Sequence, residues 1–193
     1  MEFYKKAKTS IEDLEQLKEP GYEIYGNLNH LSSLSKDTKL IIVGSFVPSH
    51  LNYFYEKNDY MYKRIDVSRD TKLETLRLKI KNKEDLQNNI SKMVLELKKQ
   101  RIAFFDMCEF TLTKINSSKD PDIKAFVFDK RIIDFIKINP TVRVVAISRA
   151  VETTLKRFGI KKVEYYHFFV GGPGTNIKDI DNPNWIELFD NTK

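Results

Sequence analysis

Lys39-Leu-Ile-Ile-Val-Gly-Ser-Phe-Val-Pro-Ser-His50 constrains the fold more than any other stretch of the chain. Leu40 to Val43 is an unbroken apolar, mostly β-branched run that stops at Gly44. A segment apolar at every position has both faces covered, which describes a strand inside a parallel sheet rather than an alternating surface strand. In open α/β sheets, ligands bind just beyond the carboxyl ends of such strands. The site is therefore expected in Gly44 to Tyr62, where Pro48 breaks a small-residue turn and Asn52-Tyr-Phe-Tyr-Glu-Lys-Asn-Asp-Tyr-Met-Tyr62 follows.

Three more strand patterns accompany the first: Ile102-Ala-Phe-Phe-Asp106, Val142-Arg-Val-Val-Ala-Ile147 and Val163 to Val170. Helical periodicity separates them. It is clearest in Glu84 to Gln100, where Leu86, Ile90, Met93, Val94 and Leu97 fall on one face. Thr9 to Lys18 reads as a short helix with Ser10 as N-cap, ended by Pro20-Gly21. Leu28 to Leu34 and Leu73 to Ile80 are helix-compatible. Thr113 to Asp120 reads as a polar loop, and Pro121-Asp122 as the start of a helix to about Asn139, with Pro140 beyond it. Ser148 or Arg149 opens a helix to Phe158 that Gly159 closes, and a last helix is expected from Asn184 to Phe189. Alternating strands and helices predict an α/β fold: a three-layer α/β/α sandwich around a central four-stranded parallel sheet. With 193 residues and no low-complexity linker, one domain over 1–193 is expected, its first 38 residues or so a helical lead-in.

No apolar run approaches the ~20 residues a membrane span needs, and Met-Glu-Phe-Tyr-Lys-Lys lacks the apolar core of a secretory signal. The lone Cys108 excludes an intrachain disulfide and a cysteine-based zinc cluster, which fits a reducing cytoplasm. A net charge of +6 favours a polyanionic partner, although ordinary solubility also accounts for it. No cofactor, metal or membrane is expected.

Four strand ends deliver four loops to one edge of the sheet: Gly44 to Tyr62, Asp106-Met-Cys-Glu109 to Asp122, Ser148-Arg-Ala150, and His167 to Asn176. Several familiar sites do not fit them. Gly171-Gly-Pro-Gly has no Lys-Ser/Thr after it and comes late in the chain, so it is neither a P-loop nor a dinucleotide fingerprint. Ser45 and Ser49 do not sit in a Gly-x-Ser-x-Gly elbow.

The order of the motifs resembles the uracil-DNA glycosylase superfamily, in the branch near mismatch-specific and hypoxanthine-DNA glycosylases. The resemblance lies in Gly44-Ser-Phe-Val-Pro48-Ser49, Tyr55-Glu-Lys-Asn58-Asp-Tyr60, Ile102-Ala-Phe-Phe-Asp106, Ser118-Lys-Asp120-Pro-Asp-Ile123, Val144 to Phe158, and Phe169-Val-Gly-Gly-Pro-Gly-Thr-Asn176. It covers about Lys39 to Phe189. It implies a DNA partner, duplex or single-stranded, and excision of a damaged or modified base by hydrolysis of its N-glycosidic bond. Two departures stand out. The first motif normally carries an Asp or Asn that handles water, where this chain has Phe46 or Val47. The last motif has Val170-Gly171-Gly172 in place of the family's Pro-Ser or His-Pro-Ser.

Breaking a base–sugar bond needs stabilisation of positive charge on the sugar and negative charge on the base. The base must also be unstacked and held in a pocket. The candidates for catalysis are Ser45, His50 and Asp106. Gly44, Phe46, Pro48, Tyr55 and Asn58 are candidates for the base, with Phe46 or Tyr55 stacking and Asn58 reading the base edge. Ser49, Gly171, Gly172, Gly174 and Asn176 are candidates for the DNA backbone, the glycines through exposed N–H groups. Each has a plainer alternative: Phe46 and Tyr55 packing on the sheet, Asn58 and Asp106 capping turns, Asp120 and Asp122 capping the expected helix, and the glycines forming a tight turn. The Tyr53 to Tyr62 cluster is either a stacking surface for single-stranded nucleic acid or an aromatic cover over the sheet edge. Two other functions remain open: a non-catalytic nucleic-acid-binding module, and a small-molecule hydrolase using Ser45, His50 and Asp106.

Overall fold

Leu40–Gly44 lies inside a parallel sheet, with all five residues buried. The computed structural model describes residues 3–46, 51–54, 59–80, 83–117, 119–166 and 183–190. In chain order its elements are β1 (Ala7–Lys8), α1 (Ile11–Gln16), β2 (Tyr22–Gly26), β3 (Leu40–Gly44), α2 (Asp59–Arg69), α3 (Leu73–Leu78), α4 (Lys83–Lys99), β4 (Ile102–Asp106), β5 (Cys108–Lys114), β6 (Ile123–Phe128), α5 (Arg131–Ile138), β7 (Arg143–Ala146), α6 (Arg149–Arg157), β8 (Glu164–Tyr165) and α7 (Pro183–Asp190). Short 3-10 turns occur at Phe3–Lys6, Asn29–Leu31 and Asp120–Asp122.

The central sheet has the strand order β4-β3-β7-β8, and every pairing is parallel. Alternate residues divide between its two faces. Leu40, Ile42, Ile102, Phe104 and Val145 pack with Met61, Tyr62 and Ile65 of α2, Leu73 of α3, Ile90, Met93 and Leu97 of α4, and Leu188 and Phe189 of α7. Ile41, Val43, Ala103, Phe105, Val144 and Ala146 face the other way, toward Ile132 of α5 and Val151 and Leu155 of α6. Helices thus cover both faces, and the α/β/α sandwich is observed. Among the described residues no helix is long and apolar enough to cross a membrane.

A second four-stranded sheet, β1-β6-β5-β2, was not foreseen. It replaces most of the loop expected after Asp106 and the first half of the helix expected from Pro121-Asp122. Ile123, Phe126 and Phe128 of β6 join the second face of the central sheet, while Ala125 and Val127 pack with Leu112 and Leu14 on the opposite side. This two-sided burial suits a β-branched and aromatic segment paired to β5 and β1. The aromatic segment that was expected to be loop as far as Tyr62 enters α2 at Asp59.

The outer edge of β4 is closed by the segment before β3. Ser33 Oγ donates to the Ile102 carbonyl. Ser32 Oγ donates to the Phe104 carbonyl at 2.6 Å, and Asn29 Oδ1 accepts from Asp106 N at 2.8 Å. Residues 102, 104 and 106 are those whose backbone groups point away from β3, so side chains stand in for a missing neighbouring strand.

Candidate functional site

The order of the central strands fixes where the crevice opens. From β3 the chain crosses one face, through α2 to α4, to reach β4 on one side. It returns over the other face to β7 on the far side of β3. The connections leaving β3 and β7 diverge onto opposite faces, which makes their shared carboxyl edge the topological switch point.

Three polar side chains meet there. Ser45 directly follows β3, and its hydroxyl donates to Asp120 Oδ1 at 2.5 Å. Ser148 follows β7 and N-caps α6, accepting from Val151 N at 3.2 Å. Its hydroxyl donates to Asp120 Oδ2 at 3.4 Å. Asp120 comes from the 3-10 turn between β5 and β6 and bridges the two strand ends. Its carboxylate is half-buried, and among the described residues it takes hydroxyl donors and no cation. The backbone locks this edge further: Met107 N donates to Gly44 O at 2.9 Å, and Cys108 N to Ser45 O at 3.1 Å.

A groove of about 620 Å³ opens against Asp120, lined by Phe3, Lys6, Pro121, Arg149, Ala150 and Thr153. Its floor is largely apolar and its rim carries two cations. Lys6 Nζ donates to the carbonyls of Pro121 and Ile123. The Arg149 guanidinium lies 4.0 Å from the centre of the Tyr165 ring and pairs with Glu152 at 2.7 Å.

The carboxyl end of β4 is a more enclosed polar cluster. Asp106 and Asp129 are buried there with Asn29. Burial pushes Asp129 upward, but hydrogen bonds from Arg131 and Asn29, with the Arg131 charge, hold it below the usual carboxylate value. Cys108 is pushed well above the usual thiol value, first by burial and then by the charges of Asp106, Asp120 and Asp129. A thiol held protonated is a poor nucleophile, which makes Cys108 a poor candidate for one.

The structure brings together some of the residues singled out in the sequence. Gly44 pairs with Asp106 in the β3–β4 register, and Ser45 lies at the switch point. The Ser45 hydroxyl goes to Asp120. Phe46 is half-buried against the second-face core, the packing role set beside stacking above. Tyr53, Phe54 and Tyr62 are buried in the first-face core, where Tyr62 meets Phe104 edge-on. These three are not a stacking surface for single strands. Pro48, Ser49, His50, Tyr55, Asn58, His167, Gly171, Gly172, Gly174 and Asn176 lie outside the described residues. Sequence pattern alone gives Asp120 only a capping role. The usable signal was its place in Ser118-Lys-Asp120-Pro-Asp-Ile123, beside the loop after β3. Among the described residues no group of three or more His, Cys, Asp or Glu side chains forms a metal site.

No family model matches the chain, and no curated protein matches it. Among solved structures, it is similar to the solution NMR structure of a protein from Methanosarcina acetivorans described as a "putative Uracil DNA glycosylase". The match has a TM-score of 0.52 at 16% identity and covers 88% of this chain and 99% of the other. At that identity the likeness is one of fold alone.

Proposed function

We propose that this protein takes a damaged or modified base of DNA into the crevice beyond β3 and β7 and hydrolyses its N-glycosidic bond. The observation that carries the reading is the Ser45–Asp120–Ser148 arrangement at the switch point of a glycosylase-like sheet. The Methanosarcina protein's description and the ordered motifs from Gly44 to Asn176 support it. The net charge of +6 supports a polyanionic partner.

The reaction needs the base out of the stack and its leaving charge dispersed. A crevice rimmed by Lys6 and Arg149 supplies positive potential for flanking phosphates, and its largely apolar floor suits the face of a base. Gly44, Phe46, Pro48, Tyr55 and Asn58 are proposed to contact the base, with Ser49, Gly171, Gly172, Gly174 and Asn176 on the backbone and His50 beside the reacting bond.

The test uses purified protein with duplex and single-stranded oligonucleotides carrying uracil, hypoxanthine or xanthine. Alkali-sensitive abasic product on at least one substrate supports catalysis. No product on any, beside an active control glycosylase, removes it. A second reading, recognition without cleavage, is favoured by Phe46 and Val47 standing where the family places an Asp or Asn. It expects lesion-dependent binding whose logarithm falls linearly with the logarithm of salt concentration.

A further inference from the structure

A base-excision site needs an anionic group where the sugar becomes cationic, and the first motif of this chain supplies none. Asp120 is a carboxylate in the right setting. It lies at the switch point, it lines the 620 Å³ groove, and its two oxygens are fixed by hydroxyls from two different strand ends. A carboxylate has about four acceptor positions. Ser45 and Ser148 occupy two, leaving capacity for a water and for the approach of a cation. The donors also form a directional chain: Val151 N–H bonds Ser148 Oγ, whose own hydrogen goes to Asp120. Each hydroxyl therefore presents its hydrogen to the carboxylate.

We infer that Asp120 is the catalytic carboxylate of this site, facing C1′ of the extruded nucleotide, an assignment that rests on the base-excision reading above. The C1′–N bond breaks with its electron pair on the base. The oxygen of a water bonds to C1′, its proton passes to Asp120, and the departing base takes a proton from solvent. The products are the free base and an abasic sugar. Ser45 acts through Asp120 as a positioning residue.

Binding to two abasic-site analogues in duplex DNA separates this inference from the broader reading. One is a neutral tetrahydrofuran and the other a cationic pyrrolidine. Wild-type protein is expected to prefer pyrrolidine by about tenfold, in line with the loss of one preorganised electrostatic contact. Asp120→Asn should lose that preference while keeping its tetrahydrofuran affinity. Asp120→Glu, which keeps the charge, should restore part of it. Asp122→Asn is the control: its carboxylate is held by Ser117 and Lys114, and the preference should survive. A wild type that binds tetrahydrofuran DNA without preferring pyrrolidine overturns the Asp120 assignment and leaves the base-excision reading standing. So does an Asp120→Asn variant that retains the preference. A wild type that does not distinguish either abasic duplex from intact DNA overturns both. Thermal unfolding of each variant identifies loss of fold, and the charge-retaining Asp120→Glu then carries the comparison.

Discussion

Asn29 Nδ2 donates to Asp129 Oδ2 at 2.7 Å across a hundred residues of chain. The same amide group also donates to the Asp106 carbonyl at 3.0 Å, and its Oδ1 accepts from Asp106 N at 2.8 Å. Asn27 Nδ2 reaches Asp129 as well, at 2.8 Å. One buried amide thus ties the segment before β3 to the end of β4 and to the residue after β6. The end of β4 lies beside that of β3, with Gly44 in register with Asp106, so the cluster braces the strand end from which Ser45 follows.

Replacing Asn29 by Leu removes the three bonds of its own side chain while roughly keeping the volume. The buried Asp106 N–H then loses its side-chain acceptor and the Asp106 carbonyl its side-chain donor, while Asp129 Oδ2 keeps Asn27 and Arg131. Each such group costs about 1–3 kcal/mol, so a loss of about 3 kcal/mol is expected. Urea denaturation checks it: the midpoint should fall with an unchanged slope, since the surface exposed on unfolding stays the same.

Asp129 gives the same cluster an acid sensitivity. Its folded-state pKa lies below the ordinary aspartate value. Its contribution is therefore fully present above that value and is lost as pH falls through the folded pKa. Asp129→Asn keeps the shape but cannot titrate. The stability gap between wild type and Asp129→Asn should be constant between pH 5 and pH 7 and should narrow below about pH 4. A gap that stays flat to pH 2 would mean that the buried carboxylate is not stabilised by its donors.

Cys108 is 1% exposed and its thiol is pushed up by burial and three nearby carboxylates. A thiol-specific reagent at pH 8 should label native protein only as fast as it opens, and labelling should become immediate in denaturant. Any DNA-directed activity should persist in full after incubation with that reagent under native conditions. Rapid native-state labelling would contradict the burial of this residue.

Local sequence pattern foretold those elements whose partners lie close or whose period is unambiguous. Leu40 to Val43 and Ile102 to Asp106 are apolar at each position up to their last residue, and only a doubly covered strand suits that. In α4 the apolar spacing over 17 residues has no strand alternative. Ile123–Phe128 misled because Pro121-Asp122 imitates a helix start, whereas pairing with β5 and β1 decides its conformation. Tyr22–Gly26 was overlooked for the same reason, its identity as a strand coming from β5. In α2, the aromatic and charged run hides the spacing of Met61 and Ile65. The site was legible as a place and only partly as a set of residues. Ser45 was singled out, but Asp120 lies 75 positions away, and no local signal announces a hydroxyl–carboxylate bond at that separation.

Ser148 has two structural duties, and substitutions separate them. As N-cap of α6 it accepts from Val151 N, and it also donates to Asp120. Ser148→Ala loses both, at an expected cost of about 1 kcal/mol, mainly from the cap. Ser148→Asn caps well and carries an amide N–H₂ able to donate to Asp120, so it should recover most of that loss. Ser148→Asp is an equally good cap in isolation, but it brings a second carboxylate to the place where Ser148 Oγ lies 3.4 Å from Asp120. Like charges at that range oppose one another. At pH 7 Ser148→Asp should therefore remain less stable than Ser148→Asn, and added salt should narrow the difference. Thermal unfolding of the three variants at low and high ionic strength reads this directly. Equal stability of the Asp and Asn variants at low salt would show that residue 148 does not face the Asp120 carboxylate.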